Sequence, residues 1–405
     1  MKILGIIAEY NPFHNGHQWH IDRSKVLSGA THTLVLMSGS AVQRGGFAVQ
    51  DKWQRAEAAL AGGADLVCEL PYMAAGQTAD IFARGAIDIL DATGVCDYLS
   101  FGSEYGRIET LRKIASLLAR ETPAFRWKLG TYLKEGQSFP RARALAVADL
   151  LGEETADILS RPNNILALEY LKSMERSGST MEPITFQRRD TVHDAPTPTG
   201  RTASASWLRH SLLSPDTTAE TLAPYIPYPA ENLTEAGFAR LTRQYETTVF
   251  ARLASADLSE LRRLPDVSEG LEFALKNALE TAASLEDLVT AVSSKRIPKS
   301  RIRRILMNLA MNLTDRELVL LTENVTPYLR VLGFNGRGQE ILAEIKKRGD
   351  LPILTNLRSN QTRLSPAQRT SLELDVRATN IRSILLSRKC YNEDYTRNPI
   401  RKEDK

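Results

Sequence analysis

The residues best suited to chemistry lie near the amino terminus, in the run Glu9–His20, EYNPFHNGHQWH. Three of the chain's six histidines, His14, His17 and His20, fall within that run. Pro12 holds Asn11 extended and ends the apolar run before it, so the H-x-G-H of His14–His17 opens a helix. A helix amino terminus presents unpaired N–H groups and the positive end of a dipole, which suits phosphate. Gly16 has no Cβ and lets a base or ribose lie against the backbone. Two imidazoles three residues apart on the first turn can both reach an α/β-phosphate region and stabilise charge there. The competing readings are a plain helix cap, or a metal site completed by His20. The Asn-Pro before the motif and the concentration of histidine favour a nucleoside triphosphate. No acidic residue or Cys stands at zinc-ligand spacing, so no metal site is assigned. The chain has no G-x-x-x-x-G-K-[ST] and no G-x-G-x-x-G after a strand, which excludes P-loop and dinucleotide-binding readings.

These residues need a scaffold, and the first 120 positions describe one. Lys2–Ala8, Thr33–Met37, Asp65–Leu70 and Asp97–Phe101 are short runs rich in Val, Ile and Leu, the pattern of buried parallel strands. Between them His17–Ser28, Asp51–Ala61, Ala79–Thr93 and Arg107–Ala119 have helical spacing. The alternation predicts an α/β fold with a doubly wound parallel sheet. Ligands of such sheets collect at the carboxyl ends of the strands. Glu9–His17, Ser38–Gly46 and Gly102–Glu104 are therefore the segments to watch. A helical stretch follows, then a strand at Glu182–Gln187, a polar run Asp190–Thr202 and a short helix Ser206–Leu213. From 214 to 405 the pattern is mainly helical, with one candidate strand at Leu351–Thr355 and a polar, frayed end at Asn392–Lys405. The organisation read from this is a nucleotide-binding unit over 1–213 and a helical region over 214–405.

Length and composition bound the possibilities. At 405 residues, 42% hydrophobic and 25% charged, the chain has the make-up of a folded globular protein of two or three domains. Its three cysteines are too few and too scattered for a disulfide framework, which fits a reducing cytoplasm. There is no signal-peptide pattern and no apolar run near the roughly 20 residues of a membrane span. The net charge is +4, and all of it comes from residues 214–405. Within that part KRIPKSRIRR, Lys295–Arg304, carries six basic residues and no acidic one.

The H-x-G-H in this setting resembles the HIGH-type nucleotidyltransferase superfamily, whose Rossmann-like domain attacks the α-phosphate of ATP or CTP. A degenerate form of that group's second signature stands at Ser204-Ala205-Ser206-Trp207-Leu208-Arg209, where an ordinary helix cap is the alternative. Narrower motifs are similar to those of the bacterial tRNA(Met) cytidine acetate ligases. They are Met37–Ser40, Val42–Gly46, Asp51–Ala56, Phe101–Glu104, Arg161–Ala167, Val192–Asp194, Lys299–Leu306 and Arg330–Asn335. They span nearly the whole chain. Ser40 and Gly46 depart from that family's pattern, and the Arg188–Asp194 loop is one residue short of it.

The resemblance implies a ligase that joins acetate to ATP as acetyl-adenylate, releasing pyrophosphate. The acetyl group then passes to N4 of the wobble cytidine of elongator tRNA(Met), with release of AMP. ATP is then a substrate, accompanied by Mg²⁺, and the partners are acetate and the tRNA anticodon loop. Acetate is already a nucleophile at neutral pH, so adenylation needs positioning and charge stabilisation. His14 and His17, with Lys52 and Arg55, are the candidates for that work. By family pattern the nucleotide is held by Ala8, Glu9, Tyr10, Asn11, Pro12, Phe13, His14, Asn15, Gly16, His17 and His20, with Gly102, Asn164 and Arg188. Asp51 and Glu104 are candidates for Mg²⁺ or proton transfer, and His193 with Asp194 form a possible orienting pair. For tRNA the candidates are Lys295, Arg296, Lys299, Arg301 and Arg304, a ridge able to neutralise phosphates. Two other readings are weighed: a small-molecule adenylyltransferase of cofactor synthesis, and a non-enzymatic RNA-binding protein that keeps a nucleotide pocket.

Overall fold

The fold is seen in a computed structural model that describes residues 1–188, 198, 200–322, 327–387 and 390–403. His193 and Asp194 lie outside the described residues. Five parallel strands are paired in the order β5-β4-β1-β2-β3: β1 (Ile3–Ala8), β2 (His32–Ser38), β3 (Leu66–Leu70), β4 (Tyr98–Ser103) and β5 (Glu182–Gln187). Ile3 of β1 faces His32 of β2 and Leu34 of β2 faces Leu66 of β3, with each neighbouring pair in step. All residues of β2 and β3 are buried. Burial on both faces is why their sequences read as continuous apolar runs rather than alternating ones.

Helices cover both faces. On one side α1 (Asn15–Ser28) and α2 (Lys52–Ala61) contribute Ile21, Trp53 and Ala59 to a core shared with Ile6, Val35 and Phe13. On the other, α3 (Ala79–Ala92), α4 (Ile108–Arg120) and α5 (Pro162–Ser177) pack Phe82, Leu111 and Leu168 against Leu36, Leu66 and Leu99. This is the doubly wound arrangement expected. The short helix α6 (Ala205–Ser211) then leads to α7 (Phe238–Ser255) and α8 (Lys299–Ala310). Their core, with Leu241, Val249, Ile302 and Leu306, also takes in Phe47 from the loop after β2 and Tyr72 and Met73 from the short helical turn after β3. The helical layer is thus seated on the carboxyl end of the sheet.

The chain does not stay helical to its end. β6 (Leu329–Phe334) joins β3 antiparallel, Leu66 facing Phe334 and Glu69 facing Arg330. After α9 (Gly336–Arg348), β7 (Ile353–Leu354) pairs with one edge of β6. After α10 (Pro366–Leu385), β8 (Ile400–Arg401) also pairs with β6. The terminal residues read as frayed are therefore partly tied to the sheet. Lys402 donates its backbone N–H to Phe334 O at 3.0 Å and its Nζ to Leu60 O at 3.0 Å. The β3–β6 pairing joins residues more than 260 positions apart, and local periodicity carries no trace of it. No helix among the described residues is long and apolar enough to cross a membrane.

Candidate functional site

Beyond β1 the chain turns sharply: Tyr10 has a φ of 47° and both Tyr10 and Phe13 are sealed in the core. Tyr10 packs edge-on against Phe13 and His17, with centroids 4.8 Å away in each case, and so steadies the base of α1. His14 is the helix cap. Its Nδ1 accepts from the Gly16 N–H at 3.1 Å, while His17 Nδ1 accepts from the His14 N–H at 3.3 Å. The two rings stack with centroids 3.7 Å apart. The plain cap reading is therefore correct as far as it goes, and it has a chemical consequence. A backbone N–H can only donate, so each Nδ1 carries a lone pair and each neutral ring carries its proton on Nε2.

The electrostatics keep the rings neutral. Burial, then the charges of Arg188 and Arg209, push His14 down to about 3. Burial, then His14, Arg188 and His20, hold His17 well below its ordinary value. Burial and then Arg188 lower His20 to about 3. His14 and His17 therefore act as N–H donors, and the cations beside them are arginines. His20 Nε2 lies 3.3 Å from Ser100 Oγ, and its ring packs edge-on against Phe186 at 4.9 Å.

The arginines come from distant parts of the chain. Arg188 follows β5 and lies across β4, its backbone N–H donating to Ser103 O at 2.9 Å and its Nη1 to Asn163 Oδ1 at 3.4 Å. Arg209 on α6 donates to Asn11 O at 2.7 Å and to Ser206 Oγ at 3.2 Å. Ser204 caps α6, accepting from the Trp207 N–H at 3.0 Å. Both signatures thus converge on one cleft of about 730 Å³, which Glu9, Asn11, His14, His17, Arg188 and Arg209 help to line. Its opposite wall belongs to the helical layer and includes Phe238, Tyr245, Glu246 and Arg303. A larger cleft of about 1010 Å³ opens near Phe334, Lys346 and Arg401, and no histidine lines it. Because Phe334 pairs with Leu66 at the start of β3, that cleft lies at the amino end of the sheet, away from the histidines.

Several expected contacts are placed differently. Lys52 is fully buried and does not reach the cleft: its Nζ donates to both oxygens of Glu69 at 2.9 and 2.8 Å and to Asp394 Oδ1 at 2.6 Å. Burial works against its charge, but Asp394 and Glu69 together overcome that and raise its pKa. Arg55 is also fully buried, and burial lowers its pKa to about 10. Its guanidinium donates to Glu9 O at 2.7 Å, Ser38 O at 3.0 Å and Gly39 O, clamping the ends of β1 and β2 together from behind the site. Neither side chain is presented to a ligand as a catalytic group would be.

Asn164 is buried and accepts from the Tyr105 N–H at 3.0 Å, so it shapes the loop after β4. Glu104 caps α5, accepting from the Asn163 and Asn164 N–H groups at 3.1 and 2.7 Å, and Asp51 caps α2. The two glycines make room for protein side chains. A Cβ on Gly16 would meet the His14 ring at 2.9 Å, and one on Gly102 would meet the Arg188 stem at 2.9 Å. Ala8 ends β1 in register with Met37, and Pro12 is buried behind the loop. Asn15 donates to Arg201 O and Pro224 O at 2.8 and 2.9 Å, tying the motif to the later chain. Among the described residues no group of three or more His, Cys, Asp or Glu is placed to hold a metal ion.

The basic stretch is also less bare than its sequence. Lys299 donates to Glu286 at 2.8 Å and Arg303 pairs with the same carboxylate. Arg301 donates to Asp266 O and Ser268 Oγ, and Arg304 reaches Asp266 Oδ2 at 3.4 Å. The acidic partners missing from the local sequence arrive from the helix Leu285–Val292, which carries Glu286, and from the 266–268 loop, which carries Asp266. Lys295 and Arg296 stay exposed, with no side-chain hydrogen bond or ion pair to any of the described residues. Sequence reading also left Arg303, Phe238 and Tyr245 out of the site. One local hint exists: Gly45 has a φ of +79°, and a Cβ there would fall 2.4 Å from the Arg303 backbone. The loop after β2 is thereby docked directly on α8.

A sheet carrying an H-x-G-H helix cap at its carboxyl end, facing arginines from α6 and from beyond β5, defines a nucleotide-transfer class, and the HIGH Nucleotidyl Transferase family model matches residues 1–398. Curated relatives extend over nearly the whole chain. A tRNA(Met) cytidine acetate ligase of Acetivibrio thermocellus is 36% identical over 391 residues, 94% of each chain, and one from a Thermoanaerobacter species is 40% identical over 385, again 94% of each. The crystal structure of Thermotoga maritima TmcAL bound with alpha-thio ATP superposes with a TM-score of 0.89 at 31% identity, covering 100% of both chains. The chain belongs to the HIGH nucleotidyltransferases and, within them, to the tRNA(Met) cytidine acetate ligase family.

Proposed function

We propose that the protein uses ATP and acetate to form N4-acetylcytidine at the wobble position of elongator tRNA(Met), through acetyl-adenylate. The single observation that carries this is the pair of capped imidazoles, His14 and His17, whose Nε2–H groups are left for an anionic ligand beside Arg188 and Arg209. Neutral donors and fixed arginine forks stabilise the charge that develops as acetate attacks the α-phosphate and pyrophosphate leaves. Mg²⁺ would travel with the triphosphate and screen its charge. The binding residues read from the sequence then divide in two. His14, His17, Asn11 and Arg188 face the nucleotide and Glu9 lines the same cleft, while Tyr10, Pro12, Phe13, Asn15 and Asn164, with Arg55 from the catalytic candidates, hold those residues in place.

The second wall of the cleft supports an RNA acceptor over a small one. Half-buried Phe238 offers apolar surface for an unstacked base, backed by buried Tyr245, and Arg303 adds a cation to the same wall. The test is incubation with ATP and labelled acetate, with and without elongator tRNA(Met), following AMP, pyrophosphate and labelled RNA. Label is expected on the RNA, and only with ATP. AMP release indifferent to both acetate and tRNA would overturn the reading.

A further inference from the structure

Transfer of an acetyl group to an amine leaves a proton to be removed, and the cleft offers few groups that can take it. His14 and His17 cannot: their Nδ1 atoms are committed to backbone N–H groups at 3.1 and 3.3 Å, and their Nε2 atoms already carry protons. The arginines in the lining are permanent cations. Glu286 is engaged at Oε1 by Lys299 and at Oε2 by Arg303, and His210 is exposed one residue beyond Arg209. Two carboxylates remain, and they are built alike. Glu9 Oε1 accepts from the Gln43 N–H at 2.7 Å, and Glu246 Oε2 accepts from the Leu285 N–H at 2.7 Å. In each, the second oxygen takes no hydrogen bond shown among the described residues.

Their positions differ. Glu246 stands on α7, in the helical wall. Glu9 is the first residue after β1, on the same loop as His14, with its carbonyl clamped by Arg55 at 2.7 Å. A carboxylate set among phosphate-binding groups repels the phosphates it adjoins, so its use must lie with another reactant. An amine is the reactant it suits.

We propose that Glu9 is the general base of acetyl transfer, its Oε2 taking the proton of the attacking exocyclic amine. The inference rests on the acetyl-adenylate reading above. In this step the N4 lone pair forms a C–N bond to the acetyl carbonyl carbon. The mixed-anhydride C–O bond breaks, its electron pair leaving on the AMP phosphate, and one N4 proton passes to Glu9 and then to solvent. The lone pair of N4 is delocalised into the ring, so its attack gains from losing the proton as the bond forms. Positioned bases contribute about 10²–10⁴-fold.

The test separates the two half-reactions. Adenylate formation is followed by acetate-dependent ATP–pyrophosphate exchange, and by trapping acetyl-adenylate with hydroxylamine. Transfer is followed by single turnover of labelled acetyl-adenylate onto tRNA(Met). Glu9→Gln keeps an acceptor for the Gln43 N–H, so transfer is expected to fall about 100-fold or more, well beyond any loss in exchange and trapping. Glu9→Asp, a carboxylate one methylene short, is expected to recover part of that loss. Normal transfer by Glu9→Gln overturns the proposal, as does an equal loss in both half-reactions. It also falls if Glu246→Gln abolishes transfer and Glu9→Gln does not. A wild-type protein without acetate-dependent exchange would instead sink the underlying reading, before any variant is compared.

Discussion

Two groups of ionisable residues sit near the carboxyl end of the sheet, built on opposite terms. Lys52, Glu69, Arg330 and Asp394 are each 1% exposed or less and answer one another inside the protein. His14, His17, Arg188 and Arg209 open on a cleft, and the two imidazoles line it with their Nε2–H groups uncommitted among the described residues. All eight are types that enzymes use, so residue type does not distinguish the groups. What distinguishes them is whether donors and acceptors remain once the fold has taken its share. In the sealed group Arg330 Nε, Arg330 Nη1 and Asp394 Oδ2 have no hydrogen-bond partner among the described residues, so that network has no slack for losing its lysine.

The comparison is broken most directly at Lys52. Lys52→Met should cost about 3–5 kcal/mol of stability, because two buried carboxylates lose their ammonium. Urea unfolding measures this, and the folded fraction should bind ATP normally. Unchanged stability with lost adenylation would place Lys52 with the catalytic group after all. On the other side, His14→Ala should slow adenylate formation about 10²–10³-fold, the loss typical of one charge-stabilising donor. Its cost in stability should be only about 1 kcal/mol, that of a lost helix cap. His14→Asn keeps the cap and should still be slow; a normal rate would mean that the imidazole does no more than cap.

What was legible in the sequence follows the same division. The strands β1 to β5, the H-x-G-H cap and the convergence of Ser204–Arg209 on it could be read, because each depends on local pattern. Lys52 and Arg55 were misplaced, since nothing local shows that Glu69, Asp394 and four backbone carbonyls claim their donors. Gly16 and Gly102 were read as positions where a base or ribose lies on the backbone; in the structure a Cβ there would meet His14 and Arg188, partners that no local pattern announces. β6 and β8 were missed: a six-residue apolar strand among helices looks like a helix turn, and β8 is held by Gly333 and Phe334 far upstream. The partners of Arg301 and Arg304 likewise arrive from residue 266, beyond any local window.

The neutrality of the histidines gives a pH prediction whose sign is fixed. His14 and His20 titrate near 3 in the folded protein, against about 6.5 for an unperturbed imidazole. Between those values the unfolded chain binds protons that the folded one does not, so stability falls as pH drops from 6.5 toward 3 and is full above 6.5. Each such histidine contributes up to about 1.4 kcal/mol per pH unit in that window. Urea unfolding between pH 7 and 5 should show the slope, and the His14 and His20 ring signals should not shift in NMR spectra over that range. Titration of either ring near 6 would mean that the site is wetter and more cationic than this geometry allows.

The smallest effect belongs to the basic stretch, where the same contrast between spent and unspent donors applies. Arg301 and Arg304 are engaged with Asp266 and Ser268, whereas Lys295 and Arg296 are exposed and offer their charge to solvent. If phosphate contact comes from unspent cations, Lys295→Ala with Arg296→Ala should reduce the salt dependence of tRNA binding by about 1.4 in the slope of log K against log salt, at about 0.7 per single-strand phosphate contact. Arg301→Ala with Arg304→Ala should leave that slope nearly unchanged and lower thermal stability, since it removes contacts that join α8 to the 266–268 loop. Filter binding at several salt concentrations reads the first, and a melting curve the second. The reverse pattern would mean that RNA displaces Asp266 and recruits the two arginines, making the ion pairs a placeholder for phosphate.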